Sequence, residues 1–512
     1  MGYATTTGVA LAGMEGHLVE VQAQLARSVP GFTLVGLPDT ALAESRDRVR
    51  AAVLSTGIEW PQRKVTVNLS PASLRKSGSG FDLAIAMAVL AGHGVVPAAG
   101  LGAVVHLAEL GLDGRLQPVR GVLPAVAAAV AAGHRDVVVA AGDEAEAALV
   151  PGARVHGAAH LGDVVLRHGG RLRYHRRVEP VAPARSAVPR RPGGDLADVV
   201  GQTEARTALE IAAAGGHHLA MVGPPGAGKT MLAARLPGLL PDLTDAEAVE
   251  VTAVHSVAGT FDPGGGLLRR PPFEDPHHTA TPVAIAGGGT GLARPGAVSR
   301  AHRGVLFLDE APEFAPRVLQ TLRQPLEAGE LVLHRSGGAT RYPARFQLVL
   351  AANPCPCGMA DTRAGQDCTC SVTARRRYLG RVSGPLLDRV DLQVHLPGPS
   401  RADRVLGAAG EPTRVVAARV AAARDRARER LRDTPWCTNA ELPGPWLHER
   451  LRGERAVLGP VERQLDEGRL SMRGAHRVLR VAWTVAELDG RDVPRADDVD
   501  TATVLRTEGS RG

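Results

Sequence analysis

Residues 221–230 read Met221-Val222-Gly223-Pro224-Pro225-Gly226-Ala227-Gly228-Lys229-Thr230. The apolar run Leu219 to Val222 precedes this stretch, and the apolar, helix-compatible segment Met231 to Leu240 follows it. Strand, glycine-rich loop and helix in that order, spelling G-x-x-x-x-G-K-T, make a phosphate-binding loop. Its glycines let backbone N–H groups turn inward around phosphate oxygens. Lys229 is then predicted to reach the β- and γ-phosphates of ATP, and Thr230 to offer its hydroxyl to magnesium. The chain has 60 basic residues, of which only Lys64, Lys76 and Lys229 are lysines. A sequence that writes nearly every cation as arginine keeps a lysine at this position.

A second apolar run, Val305-Leu306-Phe307-Leu308, ends in Asp309-Glu310. Four such residues predict a buried parallel strand, and carboxylates at its C-terminal end stand where α/β sheets bind ligands. Asp309 is placed to hold the metal and Glu310 to orient and polarise the attacking water. Phe346 to Ala352 predicts another buried strand, whose tip Asn353 carries an amide able to reach the γ-phosphate or that water. The segment 383–391 supplies Arg389 in an apolar context, and Arg473, at the start of the amphipathic run Ser471 to Asp489, is placed to be delivered towards the phosphates. Glu330 to Arg335 and Thr340 to Pro343, joined by Ser336-Gly337-Gly338-Ala339, predict a β-hairpin. Arg335 and Arg341 flank its turn as candidate DNA contacts, the competing reading being a charged edge that keeps the hairpin soluble.

At 512 residues the chain exceeds one core and divides into about three domains. A hydrophobic fraction of 44% without a long uninterrupted apolar run predicts a soluble protein rather than a membrane one. No basic segment precedes an apolar core near Met1, so a cytoplasmic location is expected. A net charge of +7 is compatible with a polyanionic partner but is weak evidence for one. Residues 1–165 alternate strand and Gly-punctuated helix patterns: a strand at Lys64 to Leu69, a helix at Asp82 to Ala91, and helix then strand across Pro124 to Ala140. Residues 166–195 mix Arg171, Arg173, Arg176, Arg177, Arg185, Arg190 and Arg191 with prolines and read as a mobile, solvated linker. Residues 196–398 carry the phosphate loop, a long Gly/Pro/His-rich passage from Val254 to Arg303 whose lack of periodicity reads as a structureless functional loop, and the acidic strand, and 399–512 turn helical.

Gly80-Phe81-Asp82-Leu83-Ala84-Ile85, followed by Gly111 to Gly114 and Gly121 to Gly133, resembles the proteolytic domain of Lon-type proteases, whose fold is shared with ribosomal protein S5. Asp82 stands where that family's serine would fall and Ala125 where its lysine would. Without a nucleophile and base no acyl transfer follows, so this likeness implies an α+β fold and not protease activity. The order of phosphate loop, Asp-Glu strand, hairpin, Asn-tipped strand, arginine segment and helical lid resembles the AAA+ ATPase plan. Phe273-Glu274-Asp275-Pro276-His277-His278, Ala301-His302-Arg303-Gly304, Leu322-Arg323-Gln324-Pro325-Leu326-Glu327 and Asn353-Pro354-Cys355-Pro356-Cys357-Gly358 are similar to the YifB/ComM family of magnesium chelatase-like proteins. The one departure is Glu274, where that family's pattern has arginine in an insert expected near the pore.

The resemblance implies an α/β AAA+ core with a Lon-like front and a helical C-terminal lid, six subunits in a ring, ATP and Mg²⁺ as ligands, and finger and lid roles for Arg389 and Arg473. It also implies a DNA helicase promoting branch migration during natural transformation. The alternative is a remodeller of the chelatase type, using the same motor on a polypeptide partner. Cys355, Cys357, Cys368 and Cys370 form two close pairs, and four thiolates suit one tetrahedral structural zinc ion, with unligated thiols as the competing reading.

Overall fold

A computed structural model describes residues 2–74, 76, 78–175, 177–184, 193–289, 293–335, 338–360, 368–382, 384–398 and 410–507. Alternating apolar residues in the first seventy positions build β1 (Gly2–Ala12), β2 (Glu15–Ala26), β3 (Gly31–Val35) and β4 (Lys64–Ser70). They join β5 (Val105–Leu107), β8 (Asp136–Ala140) and β9 (Arg154–Ala158) in one seven-stranded sheet, order β3-β4-β2-β1-β5-β8-β9, while β6 (Glu109–Leu110) and β7 (Leu116–Gln117) pair separately. Both faces are covered. Helix Asp82–His93, apolar on every side and buried almost throughout, lies on one face with helix Ser45–Ser55. Helix Val122–Ala131 lies on the other against Val9, Val105, Val137 and Val139.

The second sheet is all parallel. It contains β10 (Leu219–Val222), β11 (Phe273–Glu274), β14 (Val305–Leu308), β17 (Gln347–Ala352) and β18 (Leu392–His395), in the order β11-β14-β17-β10-β18. Strands buried on both faces need apolar side chains at successive positions, which is why β10, β14 and β17 read as runs rather than alternations. β12 (Gly287–Gly288) pairs with β13 (Arg294–Pro295), and β15 (Glu330–Arg335) with β16 (Gly338–Pro343) as the expected hairpin. The segment 254–303 is not the structureless passage its composition implies. Helix Asp245–Ala258 runs into it, closed at its start by a Thr244–Glu247 capping box, and β11 ties it to the sheet edge. The segment after the phosphate loop is two short helices, Lys229–Ala233 and Leu236–Leu239, rather than one. Pro237 and Gly238 sit in the second, and both disfavour the interior of a longer helix.

The C-terminal helices Thr413–Arg430, Arg455–Asp466, Met472–Leu488 and Ala496–Thr507 share one hydrophobic core with the parallel sheet, from Leu219 and Phe307 to Val420, Val478 and Trp483. A buried polar knot fastens the two. His217 Nε2 meets Thr484 Oγ1 at 2.7 Å, its Nδ1 lies 3.4 Å from Asp391 Oδ2, and Arg477 donates to Asp391 Oδ1 at 3.2 Å. Burial opposes ionisation of Asp391, yet His217 and Arg477 outweigh it and hold the carboxyl far below its ordinary range.

The front sheet also docks on the core. Gly121 N donates to Ser256 O at 3.3 Å, Ser256 Oγ donates to Glu146, and Leu11 and Met14 pack with Val257, Ala293 and Tyr342. A Cβ on Gly13 would stand 2.7 Å from the Arg341 carbonyl, so the β1–β2 turn rests directly on the hairpin. The arginine-rich stretch after Arg167 departs from the expected mobile linker where it is described. His175 Nε2 meets Asp163 Oδ1 at 2.6 Å and Leu172 packs on the front core. Arg176 and residues 185–192, with Arg185, Arg190 and Arg191, lie outside the described residues.

Candidate nucleotide-binding site

β10 is flanked by β17 and β18 while the next strand in sequence, β11, lies at the sheet edge, so the strand order reverses beside β10. A crevice opens at the strand ends of such a switch point. The loop after Val222 fills it. Gly226 (φ 78°) and Gly228 (φ 94°) take the left-handed conformation that turns a loop back on itself. A Cβ on Gly223 would lie 2.4 Å from Leu396 O. Gln202 braces the loop from below, donating to Ala227 O at 3.2 Å and Pro397 O at 2.9 Å.

Lys229 is nearly buried and its Nζ donates to Gly223 O (2.6 Å), Pro224 O (2.9 Å) and Asn353 Oδ1 (3.1 Å). Burial pushes its pKa down, with Asp309 and Glu310 pulling the other way. Thr230 Oγ1 donates to Asp309 Oδ2 at 2.6 Å, so the two oxygens predicted to share a metal are already adjacent. The Asp309–Glu310 tip is set by backbone: Glu310 adopts φ 51°, and its N–H donates to Asp309 Oδ1 at 2.9 Å. A non-glycine residue held there costs on the order of 1–3 kcal/mol, which the surrounding structure must offset. Parallel pairing of β14 with β17 brings Asn353 alongside this tip. Hydroxyl, carboxylates, ammonium and amide thus converge on one crevice, and their donor types suit Mg²⁺ and a triphosphate.

His278 is a contributor that the residue pattern did not reveal. Its Nδ1 lies 3.0 Å from Glu310 Oε2 and its ring packs on His277, with centroids 4.1 Å apart. The His-His pair is visible in the sequence, but only the fold carries it to Glu310. Glu274, the departure from the family pattern, is buried in edge strand β11 and accepts two hydrogen bonds from Arg300, at 2.7 and 3.1 Å. It is the buried partner of an ion pair.

Arg389 and Arg473 are not brought to this crevice. β18 begins opposite Leu219, so Arg389 lies at the sheet edge where β10 starts, about 10 Å of strand from the phosphate loop. It pairs with Glu327, and burial, then the neighbouring charges of Arg473, Arg323 and Arg477, push its guanidinium pKa down. Arg341 is exposed and donates to Glu330 of its own hairpin at 2.8 Å, while the Arg335 side chain lies outside the described residues.

Sγ atoms of Cys355, Cys357, Cys368 and Cys370 all lie within 4.8 Å of one another, with Cys355 3.3 Å from Cys357 and 3.8 Å from Cys368. Tetrahedral ligation at about 2.3 Å from each sulfur needs separations of about 3.8 Å, so the set fits zinc closely. The Cys370 backbone, then Cys357, Cys355 and Arg375, draw the Cys368 thiol down to about 7, and burial raises Cys355. The cluster starts two residues past Asn353, and a Cβ on Gly358 would stand 2.8 Å from Pro225 of the phosphate loop.

The front sheet has no such crevice chemistry at its counterpart positions. Asp82 is fully buried, takes two hydrogen bonds from Arg48 (2.6 and 3.0 Å) and is raised to about 6 by burial. Ala125 is buried in its helix, Ser79 donates to Glu109, and Lys76 Nζ donates to Leu69 O at 3.0 Å.

The profile described as "Magnesium chelatase, subunit ChlI" matches residues 195–404, "Subunit ChlI of Mg-chelatase" matches 19–143, and "Magnesium chelatase, subunit ChlI C-terminal" matches 410–506. The chain is 40% identical to YifB of Escherichia coli over 94% of its own length and 92% of that protein, and 40% identical to competence protein ComM of Haemophilus influenzae over 93% and 92%. The chain belongs to the YifB/ComM family of magnesium chelatase-like AAA+ proteins. An uncharacterised Mycobacterium tuberculosis protein is 52% identical over 98% of both chains. As a YifB/ComM protein it has the mixed α/β architecture with a parallel-sheet core and C-terminal helices that this family implies, with ATP and Mg²⁺ as its expected ligands. Among the described residues, no helix is long and apolar enough to cross a membrane.

Proposed function

We propose that this YifB/ComM protein is an ATP-hydrolysing hexameric ring motor of the cytoplasm that translocates on branched or single-stranded DNA and promotes branch migration. The convergence of Lys229, Thr230, Asp309, Glu310 and Asn353 on one crevice carries the hydrolytic part of this reading. Backbone N–H groups of Gly226 and Gly228, with the Lys229 ammonium, bind the phosphates of ATP, and Lys229 exchanges its carbonyl partners for them. Thr230 and Asp309 hold Mg²⁺, which when bound supplies neutralisation of phosphate charge. Glu310 orients the attacking water and takes up its proton on a carboxylate oxygen, while Asn353 fixes the line of attack. The DNA part rests on the relative named competence protein ComM, on the +7 charge and on the arginines of the hairpin.

Steady-state ATP turnover of the purified protein is expected to rise with single-stranded or forked DNA at low salt, and a three-strand junction to migrate only while ATP is hydrolysed. Counterion release makes such stimulation fall steeply as salt increases. Indifference of turnover to DNA, with no DNA binding at low salt, would favour a remodeller of polypeptides.

The four cysteines are proposed to hold one structural zinc ion, which clamps the chain between Asn353 and the phosphate loop. Metal analysis of freshly reduced protein is expected to find zinc in equal amount to chain. Cys357→Ser with Cys368→Ser should lose it and slow ATP turnover on the order of tenfold, as Asn353 loses its anchor. Zinc-free protein with full turnover would remove the assignment.

A further inference from the structure

On the side of the parallel sheet away from the phosphate loop lies a cavity of about 800 Å³. His218, Gly304, Phe346 and Gln347, at or beside the first residues of β10, β14 and β17, form its floor. Arg424 and Arg480, from helices Thr413–Arg430 and Met472–Leu488, close it from above with Trp436. Its volume is in the range of small-molecule sites, about 300–1,000 Å³.

Its charges do not balance internally. Each lining acid is engaged: Glu247 with Thr244 and Arg303, Glu441 with the backbone N–H groups of Cys437 and Thr438, Glu327 with Arg389, and Asp242 with Arg270. His218 is held neutral, burial drawing it down to about 4. Arg345, Arg424 and Arg480 line the same cavity, and none has a carboxylate within ion-pair distance among the described residues. Arg424 Nε donates to Ala213 O at 2.8 Å and Arg480 Nε to Leu442 O at 2.6 Å, which leaves both Nη groups of each without a hydrogen-bond partner there. Burial pushes the Arg424 guanidinium down to about 10. Arg424 and Arg480 are drawn out of bulk water with no carboxylate at ion-pair distance, a standing cost that a bidentate anion relieves, and the exposed Arg345 adds a third cation to the same cavity.

We propose that this cavity binds a small phosphate-bearing anion, a polyphosphate or a nucleotide, through Arg345, Arg424 and Arg480, with Trp436 as a planar wall. This site is separate from the phosphate loop and needs none of its residues. Because Glu327 lines the cavity and also holds Arg389, occupancy there bears on the position of that arginine.

Calorimetric titration of the full-length Lys229→Ala protein with pyrophosphate tests it, with ADP and adenosine as companion probes. Pyrophosphate is expected to bind saturably, and at least tenfold more weakly after Arg345→Gln or Arg424→Gln. ADP binding more tightly than pyrophosphate identifies a nucleotide and equal affinity a polyphosphate, both within the proposed class. Arg424 also holds a backbone carbonyl, so Arg345→Gln, with unchanged thermal unfolding, is the deciding variant. Absence of pyrophosphate binding, indifference to Arg345→Gln, or adenosine binding as tightly as ADP would overturn the proposal. So would loss only on Arg389→Ala, which moves the anion to the subunit face.

Discussion

Glu310→Gln is expected to leave ATP binding intact and to lower its turnover about 10²–10⁴-fold, the range for removal of a positioned general base. The carboxylate stands at the end of a fully buried strand, on a backbone held at φ 51° and pinned by its own N–H on Asp309. An amide of the same shape keeps that backbone and the contact distance to His278, but it cannot accept the proton of an attacking water. Lys229→Ala acts on a different step. It removes the cation from the phosphate loop and should abolish binding of a fluorescent ATP analogue at that loop, with turnover lost in consequence. The pair of results separates binding from chemistry. If Glu310→Gln hydrolysed ATP at the normal rate, the base would have to be sought elsewhere in the crevice.

Arg389→Ala is expected to reduce turnover by about 10³–10⁵, the effect of withdrawing an arginine finger from a transferring phosphoryl group. The geometry makes the test sharper than a simple loss. Arg389 lies at the opposite edge of the sheet from its own phosphate loop, so it serves a nucleotide on the next subunit or none. Mixing Arg389→Ala subunits with Lys229→Ala subunits, each inactive alone, should then restore part of the turnover, because some interfaces join an intact loop to an intact arginine. Turnover that stayed absent in the mixture, with assembly of mixed rings shown by cross-linking, would assign Arg389 to its ion pair with Glu327.

Much of the candidate site was legible before any coordinates because it is local. A phosphate loop is eight consecutive residues, and Asp309-Glu310 and Asn353 each end a run whose apolar character announces a buried parallel strand. The hairpin, the front helices and the cysteine pairs were legible for the same reason: their signals are short-range periodicity, turn glycines and spacing. Four readings needed the fold. Composition makes 254–303 a loop, but contacts with the sheet edge and the front half give it helix and strand. The stretch after Arg167 has too few apolar residues to form a core, yet it packs on one already formed. Glu274 reads as a lost cation and is a buried partner of Arg300. His278 reaches Glu310 across a separation of 32 positions in the chain.

The sequence by itself determined the chemistry available to this protein: a lysine and threonine in a glycine loop, an acidic strand tip, an amide, and four thiols in two pairs. These are properties of covalent spacing and of hydrophobic pattern, and they survive in one dimension. The tertiary structure alone decided which groups meet. Parallel pairing of β10 with β17 and β18 put the phosphate loop and Asn353 at one end of the sheet and Arg389 at the other, and the C-terminal helices closed an arginine-lined cavity over the far edge. Proximity between residues distant in sequence is set by strand order and packing, which no local pattern encodes.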